Sequence, residues 1–254
     1  MRTLIIPDIH GRGFWEDAVS SVECDKIVFL GDYLDPYPHE GITRRDTIRN
    51  FEDIIAFKKE NKEKVILLLG NHDCEYISKI FRRCRFDSSN QYHIREDFLS
   101  NKSLFQIAYD EIRDGKRYLY THAGVMSPWL EDHHNIISKG ATVDELNHLL
   151  GFKSGIQALG DMSRFRCMFG PWYGSPIWSD VCERDVVNGN LPNTYQIFGH
   201  TQQDDDPIIT ETYACLDVRR AFLLDNDNVI KEQDGTQVQY TNEEHSSEQD
   251  SEDA

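Results

Sequence analysis

Five short apolar runs, each followed by a polar cluster, most strongly constrain how this 254-residue chain can fold. The runs read TLII, KIVFL, KVILLL, RYLY and YQIF, and they end at residues 6, 30, 69, 120 and 198. Runs this short that are rich in Ile, Val, Leu and aromatic residues are typical of buried β-strands rather than helices. The chain is therefore expected to build its core around β-sheets.

Helical segments lie between and after these strands. Residues 42–61 carry apolar side chains at helical spacing, with charged side chains on the opposite face. Residues 142–151 begin with a capping-box pair, Thr142 and Glu145, and end in a glycine. Strands alternate with helices over the first half of the chain, whereas residues 194–240 read as consecutive strands. This order predicts a layered α/β fold in which a β-rich second half packs beside the first.

Composition sets the expected domain organisation. A hydrophobic content of 39% is enough to fill one sizeable core, so residues 1–235 are expected to form a single main domain. Residues 236–254 are polar and acidic, which predicts a disordered tail. The formal net charge of −17 argues against general nucleic-acid binding, because that function needs a basic surface to displace counterions from phosphates.

No segment indicates export or membrane insertion. The first residues lack a basic leader and a small-residue cleavage site, and no run approaches the roughly 18 apolar residues of a membrane span. The six cysteines include no C-x-x-C pair, so they are expected to be reduced thiols rather than disulfides or zinc ligands. We expect a cytoplasmic protein that does not bind membranes.

Potential metal ligands follow all five predicted strands. In α/β sheets, ligand sites form where the loops after several strands converge. The carboxylate, imidazole and amide side chains in these positions are Asp8, His10, Asp32, Asp35, Asn71, His72, Asp73, His122 and His200. Taken singly, each is more often a turn residue or a hydrogen-bonded surface residue. Their occurrence after five separate strands favours one shared metal site.

The residue types in this set favour particular metals and a particular reaction. Carboxylate, imidazole and amide ligands without thiolate suit divalent ions such as Mn, Fe or Zn. A bridging aspartate can hold two such ions about 3.5–4 Å apart. Two ions acting on a hydroxide lower its pKa, present it for in-line attack on phosphorus and neutralise the phosphoryl charge. The set therefore predicts hydrolysis of a phosphoester.

The motifs DIHG, GDYLD, GNHD, THAG, IWSD and GHT, in this order within residues 4–225, resemble the calcineurin-like metallophosphoesterases. Within that superfamily they are most similar to the phosphoprotein phosphatase branch. The resemblance implies a central β-sandwich flanked by helices, with two divalent ions, Mn or else Fe or Zn, at the carboxyl ends of the strands. The final motif continues with Gln202, where many relatives outside this branch place a further histidine ligand.

The resemblance also implies roles for individual residues. The implied metal ligands are Asp8 and His10 for one ion, Asp32 as the bridge, and Asn71, His122 and His200 for the second ion. His72 would protonate the leaving oxygen, assisted by Asp35. The chemistry supports this assignment independently, because an imidazole that can be protonated near neutral pH is a suitable general acid and a carboxylate neighbour fixes its orientation.

The activity implied is that of a serine/threonine protein phosphatase-like phosphomonoesterase acting on a phosphorylated substrate. Hydrolysis of a dinucleoside polyphosphate or another nucleotide is the first alternative, because related members with the same metal motifs catalyse it. Residues 169–178, which read FGPWYGSPIW, are rich enough in aromatic residues to stack a nucleobase or a peptide ring. A scaffold without turnover is the second alternative, and nothing favours it, because every ligand position is filled.

The chain departs from the phosphatase branch directly after GDYLD. Relatives usually continue with Arg-Gly, and that arginine grips the substrate phosphate. Pro36 and Tyr37 stand in these positions here. Because a guanidinium fork is the natural bidentate partner of a phosphoryl group, another arginine is expected to replace it. The arginines selected for this role are Arg44, Arg164 and Arg184, with Arg45 and Arg166 as further options.

Overall fold

Two β-sheets packed face to face form the centre of the structure, a computed structural model that describes residues 1–81, 84–187 and 189–238. The first sheet has six strands: β1 (Thr3–Ile6), β2 (Lys26–Phe29), β3 (Val65–Leu68), β4 (Phe105–Gln106), β10 (Phe222–Leu224) and β11 (Ile230–Glu232). Their spatial order is β11-β10-β1-β2-β3-β4. The second sheet has five strands: β5 (Ala108–Arg113), β6 (Lys116–Thr121), β7 (Thr194–Phe198), β8 (Ile208–Ile209) and β9 (Tyr213–Cys215). Their order is β5-β6-β7-β9-β8.

The strands that precede the predicted site run parallel within each sheet. β1, β2 and β3 are neighbours in one parallel ladder, and β6 pairs in parallel with β7 in the other. All five apolar runs of the sequence form these strands, so the prediction of buried strands is confirmed. Parallel pairing places the loops that follow neighbouring strands at a common edge.

Eight α-helices of the described residues surround the sheets. They are α1 (Phe14–Ser21), α2 (Arg44–Glu60), α3 (Asn71–Ile77), α4 (Gln91–Ser100), α5 (Ser127–Asp132), α6 (Val143–His148), α7 (Lys153–Leu159) and α8 (Glu183–Val186). Helix α2 matches the periodic segment 42–61, and α6 begins with the predicted capping box of Thr142 and Glu145. None of these helices is both long and apolar enough to cross a membrane.

The strands bury both faces, which explains why their sequences are continuously apolar. Ile5 and Val28 of the first sheet pack with Ile197 of the second in the core between the sheets. Leu4 and Phe29 point the other way and pack in the helix-covered core that includes Trp15, Phe51 and Ile54. Because side chains alternate along a strand, one apolar run supplies two cores.

The β-rich second half of the chain contributes strands to both sheets, and the prediction of a layered α/β fold is confirmed. Strands β8 and β9 extend the second sheet, whereas β10 and β11 return to the first sheet, where β10 pairs antiparallel with β1. This pairing covers the edge of β1 that would otherwise expose unpaired backbone groups. Near the end of the segment 194–240 that was predicted to form strands, Gln237 makes one isolated bridge with Lys231.

The predicted tail is only partly within the described residues. Val238 is 8% exposed and packs in the core between the sheets. Packed structure therefore continues at least to residue 238. Residues 239–254, which hold most of the segment predicted to be a disordered tail, lie outside the described residues.

A buried polar network ties β1 to β5 and β6 between the sheets. The Glu111 carboxylate accepts hydrogen bonds from Arg113 Nε (2.7 Å), Tyr120 Oη (2.8 Å) and Thr3 Oγ1 (3.1 Å). Arg113 also donates to Thr3 Oγ1 (2.8 Å) and to the backbone oxygen of Asp225 (2.9 Å). We call Thr3, Glu111, Arg113 and Tyr120 the inter-sheet network. Its donors and acceptors are matched, as buried polar groups require.

Candidate metal centre

The loops after β1, β2, β3, β6 and β7 bring together the polar side chains singled out from the sequence. These are Asp8 and His10 after β1, Asp32 and Asp35 after β2, Asn71 and His72 after β3, His122 after β6, and His200 after β7. Each of them is at most 7% exposed. We call the six predicted metal ligands, Asp8, His10, Asp32, Asn71, His122 and His200, the strand-end cluster.

Four residues of this region have left-handed backbone conformations, which non-glycine residues rarely adopt. The φ angles of His10, Asp32, Asp35 and His200 are 44°, 52°, 58° and 64°. Each such residue costs roughly 1–3 kcal/mol, and such strain collects at active and ligand sites where the surrounding structure enforces it. The backbone here is therefore shaped to aim particular side chains rather than to continue the strands.

Two glycines allow the backbone to approach the carboxylates closely. A Cβ atom at Gly70 would lie 2.0 Å from Asp32 Oδ1, and one at Gly199 would lie 2.2 Å from Asp8 Oδ1. Asp32 Oδ1 instead accepts a hydrogen bond from the backbone N–H of His72 (3.0 Å), and Asp8 Oδ1 accepts one from that of His200 (3.0 Å). The glycines that begin the GNHD and GHT motifs are thus explained by close packing.

The Asp32 carboxylate lies between two groups of potential ligands. Asp32 Oδ2 is 3.6 Å from His10 Nε2 and 3.5 Å from His122 Nε2. On one side, Asp32, His10 and His72 have ligand atoms within 4.8 Å of one another, and on the other side Asp32, His122 and His200 do. Asp32 belongs to both groups, which is the position that a bridging ligand needs.

Hydrogen bonds to backbone carbonyls fix the orientation of two imidazoles. His10 Nδ1 donates to the Leu34 oxygen (2.7 Å), and His122 Nδ1 donates to the Leu30 oxygen (2.9 Å), because a carbonyl can only accept. In the neutral rings, both Nε2 atoms therefore present lone pairs to the centre of the cluster. A carbonyl that receives the outer N–H of an imidazole is the usual support of a metal-binding histidine.

Acceptor atoms face one another inside the cluster. His122 Nε2 lies 3.0 Å from the Asn71 Oδ1 atom, where two acceptors meet, and 3.0 Å from His200 Nδ1, which donates to it in the Nδ1–H tautomer of His200. The second ring nitrogen of His200, Nε2, is buried and has no hydrogen-bond partner among the described residues. A cation placed among these lone pairs would satisfy them together, so the cluster fits a metal ion.

Burial also sets the protonation states that metal binding needs. Desolvation, followed by the charge of His72, lowers the pKa of His10 well below 6.5, and desolvation, followed by Arg166, does the same for His200. Both imidazoles are therefore neutral at physiological pH and keep the lone pairs that bind a metal. Desolvation raises the pKa of Asp32 well above 3.8, so its ionised form requires nearby positive charge. Nitrogen and oxygen ligands without thiolate suit divalent ions.

His72 and Asp35 form a hydrogen-bonded pair beside the cluster. His72 Nδ1 donates to Asp35 Oδ2 (3.0 Å), and the other carboxylate oxygen accepts from Tyr76 Oη (2.5 Å). The backbone N–H of Asp87 donates in turn to Tyr76 Oη (2.9 Å). Burial, with Asp35 as the next cause, raises the pKa of Tyr76, so this hydroxyl stays protonated and remains a donor. The chain from Asp87 to His72 holds the imidazole in one orientation.

Asp73, the last residue of GNHD, has a structural role in these contacts. Its carboxylate accepts from the backbone N–H groups of Asp32 (2.7 Å), Gly70 (2.8 Å) and Tyr33 (3.0 Å). It thereby joins the loops after β2 and β3. Burial raises its pKa to about 7 despite these hydrogen bonds.

The three arginines selected from the sequence contact residues outside the cluster. Arg44 has a side chain that is 64% exposed and donates to Ser89 Oγ (2.8 Å). Arg164 stacks on the Trp172 ring at 3.6 Å. Arg184 packs against the rings of Phe198 and Tyr213 at 5.0 and 4.8 Å.

A further sequence option, Arg166, does reach the cluster. It forms an ion pair with Asp180 (2.6 Å) and donates to the backbone oxygen of His200 (3.3 Å). Sequence reasoning missed two other residues, Tyr76 and Arg85. Tyr76 lies four residues after His72 on α3 and hence on the same helix face, which is a signal that was readable. Arg85 lies outside every motif and gave no signal.

Comparison with known proteins agrees with this geometry. Residues 1–204 match the sequence profile of the calcineurin-like phosphoesterases. A protein serine/threonine phosphatase from Saccharomyces cerevisiae with similarity to human phosphatase PP5 aligns at 13% identity and a TM-score of 0.55, covering 95% of this chain and 82% of that one. Yfce, a phosphoesterase from E. coli, aligns at 15% identity and a TM-score of 0.40, covering 94% and 97%. No curated protein sequence matches significantly.

At 13% identity, the similarity to the yeast phosphatase shows a shared fold and nothing about function. The sequence profile spans all six residues of the strand-end cluster, from Asp8 to His200. Members of this family use divalent metals, in agreement with the neutral imidazoles and buried carboxylates found here. The chain therefore belongs to the calcineurin-like phosphoesterases, metal-dependent hydrolases of phosphoric esters.

Proposed function

We propose that this protein is a phosphomonoesterase of the serine/threonine protein phosphatase type that works with two divalent ions. The observation that carries the proposal is the position of Asp32, whose Oδ2 atom lies 3.6 Å from His10 Nε2 and 3.5 Å from His122 Nε2. Asp8 and His10 would hold one ion, and Asn71, His122 and His200 the other, with Asp32 between them. Mn is the proposed metal, with Fe and Zn as alternatives, because all the ligand atoms are nitrogen or oxygen.

When bound, the two ions would neutralise phosphoryl charge and lower the pKa of water, so that a hydroxide would be available to attack phosphorus. The protein supplies the order around them. The strained backbone at His10, Asp32 and His200 aims their side chains inward, and backbone carbonyls hold two of the imidazoles by their outer nitrogens. These constraints keep the ligands in place without rearrangement during the reaction.

His72 is the proposed general acid. Its Nδ1 proton is committed to Asp35, so Nε2 is the atom that would give a proton to the leaving oxygen. Asp35 and Tyr76 act through His72, because together they fix its ring. A positioned acid of this kind contributes about 10²–10⁴-fold to kcat.

An exposed aromatic segment supports nucleotide hydrolysis as a second candidate function. Phe165, Phe169 and Trp172 are 46%, 93% and 55% exposed. They lie on residues 165–172, the segment whose Arg166 donates to the backbone oxygen of His200. Aromatic faces offered to solvent beside a phosphate site are able to stack a nucleobase.

The first experiment measures metal content and hydrolysis together. Purified protein reconstituted with Mn is expected to bind two equivalents and to cleave an aryl phosphate. Protein that binds no metal and cleaves no phosphoester after reconstitution would falsify the proposal. Rates on phosphoserine peptides against dinucleoside polyphosphates then separate the two substrate classes, and Trp172→Ala is expected to reduce only the nucleotide rate if the second candidate is correct.

The second experiment tests the general acid. His72→Asn is expected to keep both metals and to lose about 10²–10⁴ in kcat, because the proton donor is removed while the ligands remain. His134→Asn, the same change at an exposed histidine, is the matched control and should behave as wild type. Full activity in His72→Asn would refute the role of His72, and loss of metal would make His72 a ligand instead.

A further inference from the structure

We propose that Arg85 binds the phosphoryl group of the substrate, and that it does so from the loop between α3 and α4 in place of an arginine at position 36. This proposal rests on the proposed function. Arg85 Nε donates to the backbone oxygen of Asp35 (3.1 Å), and its NH2 group donates to His10 Nε2 (3.4 Å). Two hydrogen bonds, one to Asp35 and one to His10, thus hold the guanidinium beside the strand-end cluster.

The contact with His10 shows which way the guanidinium faces. His10 Nε2 is the ring nitrogen that presents its lone pair to the centre, because Nδ1 is committed to Leu34. When that lone pair binds a metal, it is no longer available to Arg85, and the N–H needs another acceptor. A phosphoryl oxygen at the same centre is a strong acceptor of opposite charge. Metal binding would therefore free Arg85 for the substrate.

Tyr37 provides a platform for this guanidinium. The Arg85 Cζ atom lies 3.8 Å from the centre of the Tyr37 ring, and that ring meets His10 edge-on at 5.3 Å. An arginine over an aromatic face is stabilised by the cation–π interaction and loses conformational freedom. The loop after β2 thus has Pro36 where relatives place an arginine, but the next residue, Tyr37, supports the guanidinium of Arg85 from another loop.

Charge pairing separates Arg85 from the other arginines that touch the cluster. Arg12 donates to the backbone oxygen of Asp8 but pairs with Glu40 at 2.7 Å, and Arg166 pairs with Asp180 at 2.6 Å. Arg85 has no carboxylate oxygen within 4.0 Å among residues 1–81, 84–187 and 189–238. A guanidinium whose charge is not neutralised by the protein is the one available to a phosphate dianion.

Direct phosphate binding tests this assignment without depending on turnover. Calorimetric titration of Mn-loaded protein with inorganic phosphate is expected to show affinity about 10–10²-fold weaker in Arg85→Ala, the range for loss of a charge-assisted fork. The kcat/KM for an aryl phosphate should fall similarly, with unchanged metal content. Arg85→Lys should recover part of the loss, because it keeps charge but not the fork. Arg49→Ala, at a side chain 80% exposed on α2, is the matched control.

Variants of Tyr37 test the platform. Tyr37→Phe keeps the ring and is expected to bind phosphate as wild type does, whereas Tyr37→Leu is expected to weaken binding by a smaller factor than Arg85→Ala. Because Tyr37 acts through Arg85, the double variant should bind no more weakly than Arg85→Ala alone. Additive losses would show that Tyr37 has an independent effect and would remove it from the proposal.

Several outcomes overturn the role of Arg85. Wild-type phosphate affinity in Arg85→Ala would do so, as would loss of metal from that variant, or a loss of phosphate binding that appears with Arg44→Ala, Arg164→Ala or Arg184→Ala instead. Metal-loaded wild-type protein that binds no phosphate also refutes it. Phosphate binding that depends on Arg85 in a protein that hydrolyses no ester would leave the assignment intact and reject the proposed function alone.

Discussion

The strand-end cluster and the inter-sheet network are both sets of buried polar side chains, but their hydrogen bonding differs. In the network, Glu111 accepts from three donors, and Arg113 finds acceptors on Thr3 and on the backbone. In the cluster, acceptors face acceptors, as at His122 Nε2 and Asn71 Oδ1. The first set satisfies itself, whereas the second holds facing lone pairs that a cation would satisfy.

The backbone is also regular in the inter-sheet network and strained in the strand-end cluster. The network residues lie within β1, β5 and β6, where regular pairing fixes them. Three of the six cluster residues have positive φ angles instead, at His10, Asp32 and His200. Buried polar groups without partners cost free energy, and so does a strained backbone. Together these costs identify the region that was selected for binding rather than for stability.

The largest expected effect is at Asp32. Asp32→Asn keeps the size of the side chain and tolerates the left-handed backbone, but it removes the charge that two cations share. We expect loss of metal and at least about a 10³-fold loss of kcat, because a metal clamp supplies several kcal/mol to the transition state. The metal-free variant should unfold at a temperature equal to or above that of the metal-free wild type, since an uncompensated buried carboxylate has been removed.

Asp73→Asn is the matched control for this change. Asp73 accepts three backbone N–H groups, so an amide there loses an acceptor and should destabilise the metal-free protein. The contrast between buried carboxylates with and without hydrogen-bond partners would break if metal-free Asp32→Asn were the less stable of the two variants. Differential scanning calorimetry with and without Mn gives both values.

The next effect is in the inter-sheet network. Arg113→Met leaves the Glu111 carboxylate buried without its ion-pair partner, where the two side chains are only 6% and 3% exposed. Such a change typically costs about 3–5 kcal/mol in the free energy of unfolding. Metal content and kcat of the folded protein should not change. Urea denaturation measures the loss, and Arg113→Met combined with Glu111→Leu should recover most of it, because no unpaired charge remains.

A small, pH-dependent effect on the free energy of unfolding is expected at Asp225, which borders the inter-sheet network. Asp225, whose backbone oxygen accepts from Arg113, has its pKa lowered to about 2 by a hydrogen bond from the Lys231 amino group. A carboxyl whose pKa falls from 3.8 on folding stabilises the folded state above that value, and the contribution is lost as pH falls through about 2. Lys231→Met should therefore be less stable than wild type near neutral pH.

This difference between Lys231→Met and wild type should shrink as the pH is lowered and vanish below about 2, where Asp225 is protonated in both proteins. Urea titrations at several pH values measure it. A constant difference across the range would show that Lys231 stabilises the fold through packing alone. Because the pair is partly exposed, salt should also reduce the difference.

The strands and the residues of the strand-end cluster were readable from the sequence because both depend on local features. A four- to six-residue apolar run defines a buried strand, and the Asp, Asn or His that follows it must lie at the end of that strand. The pairing of β10 with the edge of β1 could not be predicted, because the sequences of the short strands β10 and β11 do not indicate which sheet edge they will cover. Arg85 was unreadable for a similar reason, because its position depends on the loop between α3 and α4.

By itself, the sequence determined where strands occur, which chemical groups end them, and the family to which the chain belongs. Only the tertiary structure decided which buried polar groups are satisfied and which are not. It places Asp32 between two sets of lone pairs, and it brings Arg85 over the Tyr37 ring and within hydrogen-bond distance of His10. Residue types follow from local sequence, whereas the pairing of charges across loops depends on distances that only the folded chain sets.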